Sequence, residues 1–109
     1  MKVIYVLVTP IVRFLLEHMI IPQIEKGMHG IDVAGMFFIG DNTYLLTKQN
    51  YLSKKLDKLA ESGINIIGCD KCVYIRKIAK DLVKNVELGC FPDLYKKAKE
   101  MGVDQVITL

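Results

Sequence analysis

Three cysteines, Cys69, Cys72 and Cys90, are the residues best suited to chemistry. Cys69 and Cys72 form a Cys-x-x-Cys, a spacing that lets an attacking and a resolving thiol meet. The motif falls between a predicted strand, Ile64 to Ile67, and a predicted helix, Lys71 to Val83. Backbone N–H groups and the macrodipole at a helix start favour an anion, and a thiolate is one. Lys71, Arg76 and Lys77 add positive charge nearby, whereas Asp70 opposes it or caps the helix. Two small buried side chains would be the plain alternative. Position, spacing and local charge together favour a reactive pair.

Zinc is the rival for a Cys-x-x-Cys, and a structural zinc needs four ligands. Cys90 offers a third, but His18 reads as a mid-helix residue and His29 precedes the second strand, at the opposite sheet edge. No metal site is therefore expected. Nor is a bound cofactor: no Gly-x-Gly-x-x-Gly follows the first strand, and there is no Walker-type phosphate loop. Thr9-Pro10-Ile11-Val12 is apolar and offers little to a flavin phosphate. A receiver's clustered acids are missing after the first strand, and no His stands near the cysteines for papain-like catalysis.

The elements that must position these thiols are legible in the hydrophobic pattern. Val3 to Val8 is a nearly continuous apolar run, as in a strand buried on both faces. Thr9 offers an N-cap and Pro10 suits a first helical position, so a helix is expected over 10–26, bent at Pro22. Ile31 to Phe38 is a second strand, followed by turn chemistry at Gly40-Asp41-Asn42. Tyr51 to Ser62 reads as an amphipathic helix with Leu52, Leu56, Leu59 and Ala60 on one face. Val86 to Cys90 is the fourth strand, Pro92 to Met101 a helix, and Gln105 to Thr108 the fifth strand. Alternating strands and helices predict a three-layer α/β/α sandwich with a five-stranded parallel sheet, in one domain spanning 1–109. Ligands of such sheets bind at the carboxyl ends of the strands. Those ends carry Thr9, Asp41 and Asn42, the Cys69–Cys72 segment with Lys71, and Cys90, so all three cysteines share one edge.

A hydrophobic fraction of 51% with a net charge of only +3 excludes a disordered chain. The 15 basic residues are scattered among 12 acidic ones, which argues against nucleic-acid binding. The first ten residues alternate like a strand and lack a cleavage site. The run 11–24 is too polar to span a bilayer. An odd cysteine count without a signal segment points to a reducing, cytoplasmic compartment. The first helix carries Ile11, Val12, Phe14, Leu15, Leu16, Met19, Ile20, Ile21 and Ile24 around nearly its whole circumference. A surface helix buries one stripe, so the second face predicts a homo-oligomer.

A strand ending in Gly68-Cys69, the Cys-Asp-Lys-Cys segment and the basic pair Arg76-Lys77 resemble the DsrE/DsrF-like sulfur-relay superfamily. The likeness covers the whole chain in length and element order. Val3 to Val6, Gly89 to Tyr95 and Asp104 to Leu109 are similar to its SaoD-type subgroup. The resemblance implies a DsrE-like fold, trimers or hexamers, and persulfide sulfur carried on a strand-end cysteine, with donor and acceptor proteins as partners. The family's cysteine, with Arg about two turns on, matches Cys69 with Arg76, and Cys72 is the second candidate. Ile78 stands where members carry Gly after the basic pair. The readings are a sulfur or selenium carrier, a dithiol/disulfide switch, or a binding module for a small ligand or metal.

Overall fold

A computed structural model describes residues 1–109. The chain runs β1 (Lys2–Leu7), α1 (Val12–Leu15), a π-helical turn (Leu16–Ile20), α2 (Ile21–Glu25), β2 (Asp32–Phe38) and a 3-10 helix (Gly40–Leu46). It continues through α3 (Ser53–Glu61), β3 (Asn65–Cys69), α4 (Asp70–Ile75), a 3-10 turn (Ala79–Asp81), β4 (Glu87–Gly89), α5 (Phe91–Glu100) and β5 (Gln105–Thr108). The five strands form one all-parallel sheet in the order β4-β3-β2-β1-β5.

That order dictates the layers. From β1 to β4 each step moves the same way, so right-handed crossovers put every connection on one face. The return from β4 to β5 crosses the sheet backwards and places α5 on the other face. Two cores follow. Leu16, Ile21, Leu46, Leu52 and Leu56 cover one face with Val3, Leu7, Met36, Phe38 and Ile66 from the strands. On the other, Leu94 of α5 closes over Ile4, Val6, Phe37, Ile67 and Cys69. Alternate strand residues thus feed opposite cores, except across the register shift in β2, where Val33 and Met36 both enter the first core.

The first helix departs from its expected form. It begins at Val12, and Thr9 contributes its carbonyl to the Val12 N–H rather than a side-chain cap. Inside it, the Ile21 N–H reaches back five residues to the Leu16 carbonyl. Pro22 lacks an N–H and its ring crowds the turn before it, so a widened turn at that point relieves the clash. The predicted helix over 71–83 is also shorter. It stops at Ile75, and Lys77 takes a left-handed conformation at φ 57°, the only non-glycine residue to do so. The chain then turns Ile78 inward. This left-handed position is where glycine would be least strained, rather than the Ile78 position expected from the family pattern; a side chain there costs about 1–2 kcal/mol.

At the amino edge of the sheet Tyr5 Oη lies 2.8 Å from His29 Nε2, and His29 Nδ1 lies 2.9 Å from Gln23 Oε1. Burial raises the Tyr5 phenol, so its O–H stays protonated and donates to Nε2. His29 then donates from Nδ1. Burial lowers the His29 imidazole below its usual value, favouring this neutral form. A base depressed in the folded state contributes stability above its unfolded pKa of about 6.5, and that contribution is lost as pH falls through the folded value. The thermal midpoint of the wild type should therefore drop on acidification below about pH 6.5. His29→Gln should show a shallower drop over that window in parallel calorimetric scans; equal slopes would refute the assignment.

Candidate functional site at the carboxyl edge

The loops after β3 and β4 leave toward opposite faces, the arrangement at which open parallel sheets commonly bind ligands. Cys69 ends β3 and Cys90 follows β4, on neighbouring strands at that edge. The prediction that the three cysteines share one edge is met by this geometry. Glycine at 68 lets the layers approach: a Cβ there would sit 3.1 Å from Leu46 Cδ1.

The two cysteines of the motif have unlike surroundings. Cys69 is buried, only 8% exposed, and packs in the core under α5. Burial is the main cause that raises its thiol pKa. The Cys72 backbone amide works against that rise, while the Cys72 thiol and the charge of Cys90 add to it. Cys72 is half-buried, and its Sγ accepts a hydrogen bond from the Gly40 N–H at 3.2 Å. Gly40 reaches this position with φ +63°, in the left-handed region.

An ion pair holds this arrangement from outside. Arg76 donates from Nε and Nη2 to one Asp41 carboxylate oxygen, at 3.0 and 2.8 Å. Its Nη1 donates to the Cys72 carbonyl at 3.2 Å. Arg76 therefore ties the end of α4 to the segment that carries the Gly40 amide. The hydrogen bond to Asp41 raises the guanidinium further and keeps it charged. Asp41 is well exposed, so the pair adds little to global stability. Its effect is positional.

The other expected site residues divide. Asn42 is buried and donates from Nδ2 to the Thr9 carbonyl at 3.0 Å, bracing β1 against the 3-10 helix. Gly40-Asp41-Asn42 is the start of that helix rather than an isolated turn. Thr9 follows β1, which lies two strands from β3, and the structure does not bring it to the thiols. Lys71 is exposed, and its amide is held by the Asp70 carboxylate at 2.7 Å. Asp70 makes no side-chain cap, because Cys69 occupies the N-cap position itself. Cys90 is the N-cap of α5: its sulfur accepts the Asp93 amide, while its own N–H donates to Asp93 Oδ2 at 2.8 Å. Phe91 meets Phe37 edge-to-face and stacks on Tyr95. No group of three or more His, Cys, Asp or Glu side chains is arranged to hold a metal ion. His18 lies along the first helix against Phe14.

Sequence reasoning could not supply the Gly40 amide on the Cys72 sulfur, nor the pairing of Arg76 with Asp41. A cleft of about 490 Å³ opens elsewhere, at the amino edge near Met1, His29 and Asp32. The thiol edge is shallow by contrast, and thiol exchange needs access for an incoming sulfur rather than an enclosing cavity.

The DsrE/DsrF-like family model matches residues 19–109. This chain belongs to that family. The DsrE-like fold recurs in solved structures of low identity. The ychN protein of E. coli superimposes with a TM-score of 0.73 at 19% identity, over 99% of this chain and 97% of that one. MTH1491 of Methanobacterium thermoautotrophicum, described as of unknown function, gives 0.70 at 14%, over 99% and 97%. BT1422 of Bacteroides thetaiotaomicron, likewise of unknown function, gives 0.66 at 14%, over 98% and 94%. No curated protein matches the chain.

Gly40 carries the amide in a backbone conformation that side chains resist, so Gly40→Ala tests the site locally. It should cost about 1–2 kcal/mol in denaturant unfolding. It should also change the rate at which iodoacetamide modifies Cys72 in the native protein. An unchanged rate would mean that the amide does not govern the sulfur.

Proposed function

We propose that this DsrE/DsrF-like protein is a small sulfur-relay protein that works by thiol exchange at Cys69 and Cys72. The observation that carries the reading is the Gly40 N–H donating to Cys72 Sγ beside a second thiol. An amide aimed at sulfur stabilises the negative charge that a thiolate or a persulfide anion bears. Residues 1–109 act as one such domain, of the SaoD-type subgroup and in a reducing cytoplasm. Arg76 and Asp41 position the site; Cys90 and Lys71 stand at its margin. The sulfur arrives from a donor protein or small polysulfide and leaves to an acceptor thiol. Selenium would follow the same path.

The six-residue α4 is too short to supply the macrodipole that a longer helix would bring. The local amide replaces it. A second reading has support from the proximity of the two thiols: a dithiol/disulfide switch without turnover. Its mark would be a midpoint potential near the cytosolic poise, about −220 to −320 mV.

Under anaerobic conditions the reduced protein, treated with inorganic polysulfide and desalted, should retain sulfane sulfur. It should pass that sulfur to an added small thiol, and dithiothreitol should strip it. A Cys69→Ala/Cys72→Ala double variant should retain none above background. Absence of retained or transferred sulfur in the wild type, with a reversible disulfide alone, would favour the switch.

The apolar face of the first helix also supports assembly into a homo-oligomer, a trimer or hexamer. Val12, Leu16, Ile20 and Ile21 are buried, yet Ile11, Phe14 and Met19 remain exposed on the outer side. Light scattering should give a mass of at least three chains at micromolar concentration, reduced in Ile11→Glu/Phe14→Glu. A monomeric wild type would refute this.

A further inference from the structure

We infer that Cys72, rather than the strand-end Cys69, is the sulfur that meets the donor, and that Cys69 is the buried thiol that resolves it. The inference rests on the relay reading and divides the work between its two cysteines.

Access separates them first. Cys69 points into the core beneath α5 with Phe37, Ile67 and Leu94, so an incoming sulfur would have to displace packed side chains. Cys72 sits half-open at the edge of that same cluster. Backbone amides act on both sulfurs, but only at Cys72 does one act without the burden of burial. The Cys72 N–H is outweighed by desolvation at Cys69, whereas the half-open Cys72 Sγ has the Gly40 N–H at 3.2 Å, with Arg76 holding both sides of that contact through Asp41 and the Cys72 carbonyl. Protonation agrees with this: burial favours the neutral form of the Cys69 thiol and so slows its attack on an outside donor, while leaving it able to attack a sulfur held beside it.

The chemistry then balances. The Cys72 thiolate attacks the terminal sulfur of a polysulfide. A Cys72 Sγ–S bond forms, the donor S–S bond breaks, and the shortened polysulfide leaves with the electron pair. If an acceptor thiolate attacks the outer sulfur, Cys72 leaves as a thiolate and is regenerated. Without an acceptor, Cys69 attacks Cys72 Sγ. A Cys69–Cys72 disulfide forms, and the outer sulfur departs as hydrosulfide, taking up the Cys69 proton. The two thiols lose two electrons, which the sulfane sulfur gains.

The test is anaerobic treatment of the full chain with inorganic polysulfide, read by intact mass, peptide mapping and released sulfide. Cys69→Ala, with Cys69→Ser as a second variant at this buried position, should hold one added sulfur on the peptide containing Cys72. Cys72→Ser should load at least about tenfold more slowly than wild type. The wild type should end as the Cys69–Cys72 disulfide with sulfide released. Loading of Cys72→Ser on Cys69 at the wild-type rate would overturn the assignment while leaving the relay intact. Failure of the folded Cys69→Ala protein to load, while wild type does, would overturn it equally. No sulfur uptake and no sulfide from any of the proteins would overturn the relay and the assignment together.

Discussion

The structure depends on one topological constraint: β4 lies at a sheet edge, while β5 must pair with β1 on the far side. The chain meets it by sending α5 back across the face that no other helix covers. The single-helix layer, the parting of the loops after β3 and β4 and the placement of Cys69 under α5 all follow. Had β5 paired with β4, the last connection would have stayed with the others. The two strand ends would then have sent their loops to one face, and no helix would cover Cys69 from the other.

Within that frame the site is built by backbone more than by side chains. A glycine in the left-handed region turns its amide onto Cys72, a left-handed Lys77 ends α4 after six residues, and a close approach at Gly68 seats both against β3. Side chains secure what the backbone sets up, with Arg76 spanning from Asp41 to the Cys72 carbonyl. The Asp41 end of the ion pair lies in solvent, and the pair is worth little to folding. Two donors on one carboxylate and a third on a carbonyl nonetheless fix a separation between two segments, a geometric role that a weak interaction can fill.

The strands were readable because a parallel sheet covered on both faces writes itself as apolar runs. β5 has the bounds expected for it, and the other four differ by a residue or two. The common carboxyl edge of the cysteines followed from strand direction alone. What failed was local. Ile75, Ile78, Ala79 and Leu82 repeat at helical spacing, but Ile75 is the most exposed large hydrophobic residue, and Ile78 enters the core only after the turn at Lys77. A periodic pattern records which residues seek the core and not whether one continuous helix delivers them. Asp41 and Arg76 are 35 positions apart, and nothing in either segment marks them as partners. The Gly40 amide carries no residue-type signal at all. Cys90, expected at the same edge, stands there as the N-cap of α5.

The unequal helical layers bear on how the molecule breathes. Sixteen buried residues hold one face of the sheet and seven hold the other. Partial unfolding proceeds through the units that bury least, so α5 lifts from the sheet at a lower free energy than the opposite layer. That motion uncovers Cys69, whose thiol is otherwise shielded. Entry of water or an oxidant to the inner sulfur is thus governed by the detachment of one helix, on the timescale of local opening rather than that of side-chain motion.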